Sequence, residues 1–311
     1  PSYRYERILY PMLVRFAALE QPAAVPWMML IVNWLAVGGG VLALGAWLAR
    51  RGASPWLAAL YGLFPGMVIA VQHDLTEPLA YGLVALAIYL FDFGGRRGVL
   101  LAGAAFGLAA LCRETTLLFA VLFGISILAG RANAHPHRQL RARGRQALGF
   151  FALAITPFAA WLAVDYSWLG VPHPGTVDPI PFKGIFGPFN PTIELMFVGA
   201  PALLFAAAVL RGLSARTGLL ERYSVLANTA LAIVFSTNAL WINYMGIGRA
   251  GIAIVLAALL CMPYLPDRPA TAKAGWRHLG RATAVRVAFT LWMLPLGFAI
   301  YASFAGRVLN P

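Results

Sequence analysis

The sequence predicts an all-α, polytopic integral membrane protein with about ten transmembrane or partly re-entrant helices. Three observations lead there. The chain has 311 residues, of which 60% are hydrophobic and 11% charged. A soluble domain carries about 25% charged residues, so there is too little polar surface here to cover a water-soluble body. Long runs rich in Leu and Ala show no period-2 alternation, which favours helices, whose backbone groups bond internally, over a lipid-facing barrel. Finally, the ionisable residues are segregated: alternate connections between apolar segments are crowded with arginine, and the other set holds most of the carboxylates.

Residues 1–23 read as an outer amphipathic, juxtamembrane segment, with Tyr3, Arg4, Tyr5, Glu6, Arg7 and Tyr10 close together. The transmembrane domain, 24–303, follows, with a short outer tail at 304–311. Its apolar segments fall at approximately 24–49, 55–72, 77–91, 98–112, 115–130, 147–166, 192–210, 223–241, 249–264 and 282–303. Gly38-Gly39-Gly40 softens the first or lets another helix approach. Ser54-Pro55 reads as a cap with proline in the first turn of the second, and Phe64-Pro65-Gly66 predicts a kink inside it. Pro78 is well placed just inside the start of the third. Arg113-Glu114 separates the fourth from the fifth, because this pair at a lipid-exposed midplane would be costly. The stretch 167–191 is rich in proline, glycine and aromatics and reads as an outer loop on the membrane surface or over a cavity.

Charge sets the expected sidedness. The connections after the first, third, fifth, seventh and ninth segments carry Arg50-Arg51, Arg96-Arg97, the run Arg131 to Arg145, Arg211 to Arg222, and Arg268 to Arg281. They include only the acids Asp92, Glu221 and Asp267. By the positive-inside rule this face is cytoplasmic. The net charge of +13 is therefore assigned to topology and anionic lipid rather than to nucleic acid. Cys112 and Cys261 fall on opposite sides, which argues against a disulfide. HExxH, paired CxxC and phosphate-loop patterns are absent, so a metal, haem or ATP site has no support. The chain opens at Pro1, and at least one earlier span is expected before it.

Chemistry, if any, belongs to the opposite, outer face. Gln72-His73-Asp74-Leu75-Thr76-Glu77-Pro78 places Asp74 and Glu77 three apart, which on a helical turn gives them one face. Thr76 or Asp74 would cap the next helix, and the whole motif also reads simply as a capped turn. Arg113-Glu114-Thr115 offers a guanidinium fork suited to phosphate; the alternative is an internal salt bridge from Arg113 to Asp74 or Glu77. Tyr244, Arg249, His173, Asp178 and Lys183 complete the inventory, with Arg4, Tyr5, Glu6 and Arg7. Such a set suits displacement at a sugar carbon activated by phosphate, which needs a general base, positive charge for the departing phosphate and orientation.

The stretches YRYERILYPML (3–13), HDLTEPLAYGLVALAIYL (73–90) and AGAAFGLAALCRETTLLF (102–119) resemble the polytopic glycosyltransferases of the GT-C superfamily, in particular bacterial mannosyltransferase-like members. The resemblance covers about the first third of the chain. It implies a GT-C-like fold here lacking its first helix, in the bacterial inner membrane, with the active face toward the periplasm. It also implies inverting transfer from a polyprenyl-phosphate sugar to an acceptor, with no cofactor beyond that donor. The family's base is an Asp or Glu in the first outer loop, which puts it before Pro1 or at Glu6. Asp74 and Glu77 would then be accessory carboxylates, and Arg249 a candidate phosphate ligand. The competing expectation is a non-catalytic transmembrane scaffold or accessory subunit of a larger membrane complex.

Overall fold

The computed structural model describes residues 7–92, 95–129, 136–170, 180, 199–213, 219–235, 244–265 and 292, with backbone alone for 95, 96, 136–141 and 244–247. Among these residues the fold is all-helical. The helices are α1 (Leu9–Ala17), α2 (Val25–Arg50), α3 (Ala59–Gly62), α4 (Pro65–Gln72), α5 (Glu77–Asp92), α6 (Gly95–Cys112), α7 (Leu117–Leu128), α8 (Pro136–Leu169), α9 (Ala200–Gly212), α10 (Leu219–Val234) and α11 (Tyr244–Leu260). Nine of the ten expected apolar segments overlap helices; parts of 192–210 and 223–241, and all of 282–303 save Trp292, lie outside the described residues.

Helix identity and membrane crossing part company at this point. Crossing a hydrocarbon core of about 30 Å takes about 20 helical residues. Among the described residues two helices are long and apolar enough, Pro22–Arg50 and Ala142–Leu169, with mean hydropathies of 1.9 and 2.0. A third qualifies if Pro55–Gly62 and Pro65–Gln72 form one span bent by 51°. That bend falls at the predicted Phe64-Pro65-Gly66 break, where proline offers no N–H to the preceding turn. α7 has 12 residues and α9 has 13, lengths that cross only where the lipid thins locally. Among the described residues, length and composition support two or three crossings, and the expected count of about ten is not reached there.

The chain divides into two compact units, Pro1–Arg51 with Val71–Thr176, and Gly52–Ala70 with Val177–Pro311. In the first, α2 packs on α5, α5 on α6, and α6 and α7 on α8. α2 and α5 run parallel. Leu79 joins Val25, Met28 and Met29 around the cluster Tyr10, Val14 and Val32 at one end. At the other end Arg50 lies 5.3 Å over the Tyr89 ring and Arg51 pairs with Asp92 at 2.6 Å. Gly103 faces Phe150, and Gly107 faces Leu153 and Pro157, so α8 runs parallel to α6. Phe91, Phe106, Phe123 and Phe150 pack together with ring centroids 5.0–6.2 Å apart, three of the contacts edge-on and Phe106–Phe123 tilted, favoured geometries for aromatic rings. Trp27, Trp34, Leu35 and Leu42 stay exposed along α2, as a lipid-facing flank requires. In the second unit α3, α9 and α10 pack on α11.

Gly38 and Gly39 have open space around them, Gly40 is buried, and a close helix approach is made by Gly82, where an added Cβ would sit 2.6 Å from the Ala36 carbonyl oxygen. The arginine run before 147 is not a connection throughout: α8 begins at Pro136, because Arg, Gln, Leu and Ala all favour helix and carry it out of the apolar layer. We expect Gly82→Ala to destabilise the protein by about 1–3 kcal/mol by forcing α2 and α5 apart. Gly38→Ala should be neutral or stabilising by up to about 1 kcal/mol. Thermal unfolding in detergent checks both.

Candidate functional site

At the end of the first unit where α5 begins, three pieces of chain come together: the start of α1, the α4–α5 joint and the α6–α7 joint. Each is shaped by its own sequence. α4 stops at Gln72, and Asp74 adopts a left-handed conformation with φ +51°, which aspartate tolerates better than most residues. Its N–H bonds the Val71 carbonyl at 3.2 Å. Thr76 then starts α5 through its backbone, its carbonyl accepting the Ala80 N–H at 3.0 Å. Its hydroxyl is buried and has no hydrogen-bond partner, so neither predicted side-chain cap forms among the described residues. After Cys112 the chain turns at Arg113, whose carbonyl accepts the Thr116 hydroxyl at 2.8 Å. The turn Glu114–Thr116 leads into α7.

Adjacent residues of this last turn hold opposite partners. Arg113 forms an ion pair with Glu77, the carboxylate at the first turn of α5, and both side chains are buried. The Arg113 Nε–H also donates to Thr115 Oγ1 at 3.0 Å. Glu114 accepts a fork from Arg7, Nη2–H to Oε1 at 3.0 Å and Nε–H to Oε2 at 3.3 Å, the bidentate geometry that makes such pairs directional. The two glutamates balance the two arginines. Asp74, half-buried three residues before Glu77, adds a negative charge, and its carboxylate makes no hydrogen bond or ion pair among the described residues.

Asp74 acts instead on Tyr10. Burial, and next the nearby Asp74 carboxylate, push the Tyr10 hydroxyl above the ordinary tyrosine range, with the Asn33 hydrogen bond pulling the other way. Tyr10 therefore stays protonated. It donates to the Met29 carbonyl at 3.3 Å and accepts from Asn33 Nδ2–H at 3.0 Å.

Of the residues singled out in the sequence, the structure brings together Arg7, Asp74, Glu77, Arg113 and Glu114, with His73 exposed next to Asp74. The expected shared face of Asp74 and Glu77 is not found: Asp74 precedes the helix, and the left-handed turn between them sends one carboxylate into the core and leaves the other at its edge. Arg249 belongs to the second unit, half-buried on α11. Arg4, Tyr5, Glu6, His173, Asp178 and Lys183 lie outside the described residues, and Tyr244 is described by its backbone alone.

Among the buried polar residues not singled out in the sequence are Asn33 and Asp165. Asn33 is fully buried in α2, and a lone amide inside an apolar run was its signal. Asp165 is fully buried near the end of α8, at the level of the α6–α7 joint by helix register; a carboxylate inside a spanning helix is a functional candidate by default. In the second unit Glu221, read from sequence as a cytoplasmic-face acid, is buried and accepts the Tyr264 hydroxyl at 3.0 Å. Cys112 and Cys261 are buried free thiols. Among the described residues no group of three His, Cys, Asp or Glu side chains is placed to hold a metal ion. Comparison of the chain with protein-family models, curated proteins and solved structures found no significant match.

Proposed function

We propose that this protein transfers a sugar from a polyprenyl-phosphate donor to an acceptor hydroxyl, by inverting displacement, at the membrane face where Arg7, Asp74 and Arg113 gather. The observation that carries the reading is the contrast among the carboxylates: Glu77 and Glu114 are committed to arginine, while Asp74 is partly exposed with its oxygens available. Asp74 would take the acceptor hydroxyl proton as that oxygen attacks the anomeric carbon. The carbon–oxygen bond to phosphate breaks on the opposite face, and polyprenyl phosphate leaves with the electron pair. Positive charge for that departure would come from Arg7 and Arg113, with His173, Arg4 and Tyr5 as further substrate-binding groups. Glu6 is the competing candidate for the base. The resemblance to GT-C transferases supports this reading, as does the separation of the ionic cluster from the Arg50–Arg51 end of the same unit. In this reading the cluster faces the periplasm of a bacterial inner membrane.

One observation favours the second reading, a non-catalytic scaffold of a larger membrane complex: both arginines of the cluster already face a carboxylate. Donor binding separates the two. In a transferase, Arg7→Ala weakens binding of a polyprenyl-phosphate sugar by about tenfold, the worth of a charge-assisted hydrogen bond. Arg145→Ala, an exposed arginine on α8, leaves binding unchanged. Absence of donor binding by the folded wild-type protein in nanodiscs favours the scaffold.

A further inference from the structure

Helix α1 is held in an arrangement that its own sequence opposes. It ends in the hydrogen-bond pattern of a left-handed helix stop, Glu20 N–H to the Arg15 carbonyl at 3.4 Å and Leu19 N–H to the Phe16 carbonyl at 3.1 Å. The left-handed position of that motif normally holds glycine, which carries no Cβ penalty. Here it is Leu19 at φ +49°, followed at once by Glu20 at φ +61°. With Asp74 these are the positive-φ non-glycine residues of the described chain. Two strained residues in succession therefore form the joint between α1 and α2.

What lies beneath α1 is equally unsettled. The helix buries Tyr10, Val14 and Ala18 and covers Asn33, whose amide gives Nδ2–H to Tyr10 while its Oδ1, fully buried, meets no donor. A buried polar atom left unmatched costs free energy that opening to a donor would recover. On the outer side Met12, Phe16 and Leu19 are exposed, so no described residue packs there to hold the helix down. Its firmest polar attachment is the Arg7–Glu114 fork just before its first turn.

We propose that α1 is a lid. It swings about the Leu19–Glu20 joint, releases Arg7 from Glu114 and Tyr10 from Met29 and Asn33, and in its open position presents the Asn33 amide and Asp74 to a hydroxyl-bearing ligand. Strain at the joint and the unmatched amide bias α1 toward opening, and the ion pair and the small apolar patch close it. That the ligand is the sugar acceptor rests on the transferase reading; the motion does not.

The test is amide hydrogen exchange of α1 against α5 in the full-length protein in nanodiscs, without substrate, so that it reads the lid whether or not transfer occurs. In the wild type α1 should exchange at least tenfold faster than α5, after correction for intrinsic rates. Leu19→Gly removes left-handed strain from the closed form and should slow exchange of α1 about fivefold while leaving α5 unchanged. Asn33→Leu removes the unmatched amide and should act in the same direction. Arg7→Gln should speed α1. If α1 and α5 exchange together, or if Leu19→Gly leaves α1 unchanged or slows both helices alike, the segment opens only with the whole unit and the lid is overturned.

Discussion

Glu77→Ala is expected to destabilise the protein by about 3–5 kcal/mol, among the largest single-site effects in the first unit, because it leaves the Arg113 charge buried without its partner. The Glu77 side chain is fully buried and that of Arg113 is 8% exposed. Neither can recover water by a small rotation. Arg113→Ala should cost a similar amount by orphaning the glutamate. Replacing both, Glu77→Leu with Arg113→Met, should return most of the loss, since an apolar pair of similar volume often matches or exceeds a buried ion pair. The other pairs give a graded internal comparison. Arg7–Glu114, at 9% and 14% side-chain exposure, should lose less than the fully enclosed pair when cut. Arg15–Glu20, at 76% and 77%, should lose at most a few tenths of a kcal/mol, as exposed pairs do. Unfolding in detergent of Glu77→Leu, Arg113→Met and the double variant forms a closed cycle. Additive losses in that cycle would show that Glu77 and Arg113 do not act as a pair.

That pair also marks where sequence reading stopped. Apolar runs made the helices legible, Pro65 made the kink legible, and the charge of Arg113-Glu114 made it legible that α6 and α7 are separate helices. Number of crossings was not legible in the same way, because a run of apolar residues marks burial in lipid or in protein equally well. α5 shows the difficulty: Ala80, Tyr81, Val84, Ala85, Ala87 and Ile88 are all buried inside the fold. The ionic cluster was legible as a set of residues but not as a set of partners. Spacing of three suggested that Asp74 and Glu77 act together, and this holds only if both are helical. The backbone reversal at Asp74 breaks that condition, and no single-residue propensity announces it, since aspartate is common both at caps and in turns. Asn33 and Asp165 were visible but unremarkable, because what distinguishes them is enclosure by other helices.

Asp74→Asn carries the heaviest functional weight. On the transferase reading it should lower the transfer rate by about 10²–10⁴-fold, the usual contribution of a positioned general base, with donor affinity little changed because the arginines are untouched. The substitution is nearly isosteric, and asparagine accepts the left-handed conformation as readily as aspartate, so the φ of +51° gives no reason for the fold to suffer. Stability should stay within about 0.5 kcal/mol, as for a partly exposed side chain without an ion pair. This separates Asp74 from Glu77, where any loss of activity would be entangled with loss of fold. Transfer of a labelled sugar from its polyprenyl-phosphate donor, measured beside an unfolding curve for the same preparation, reads both quantities. Full activity in Asp74→Asn would remove Asp74 as the base and move the search to Glu6. Loss of activity with intact stability and intact donor binding would place Asp74 at the reacting hydroxyl, a result that a scaffold with no transfer step cannot produce.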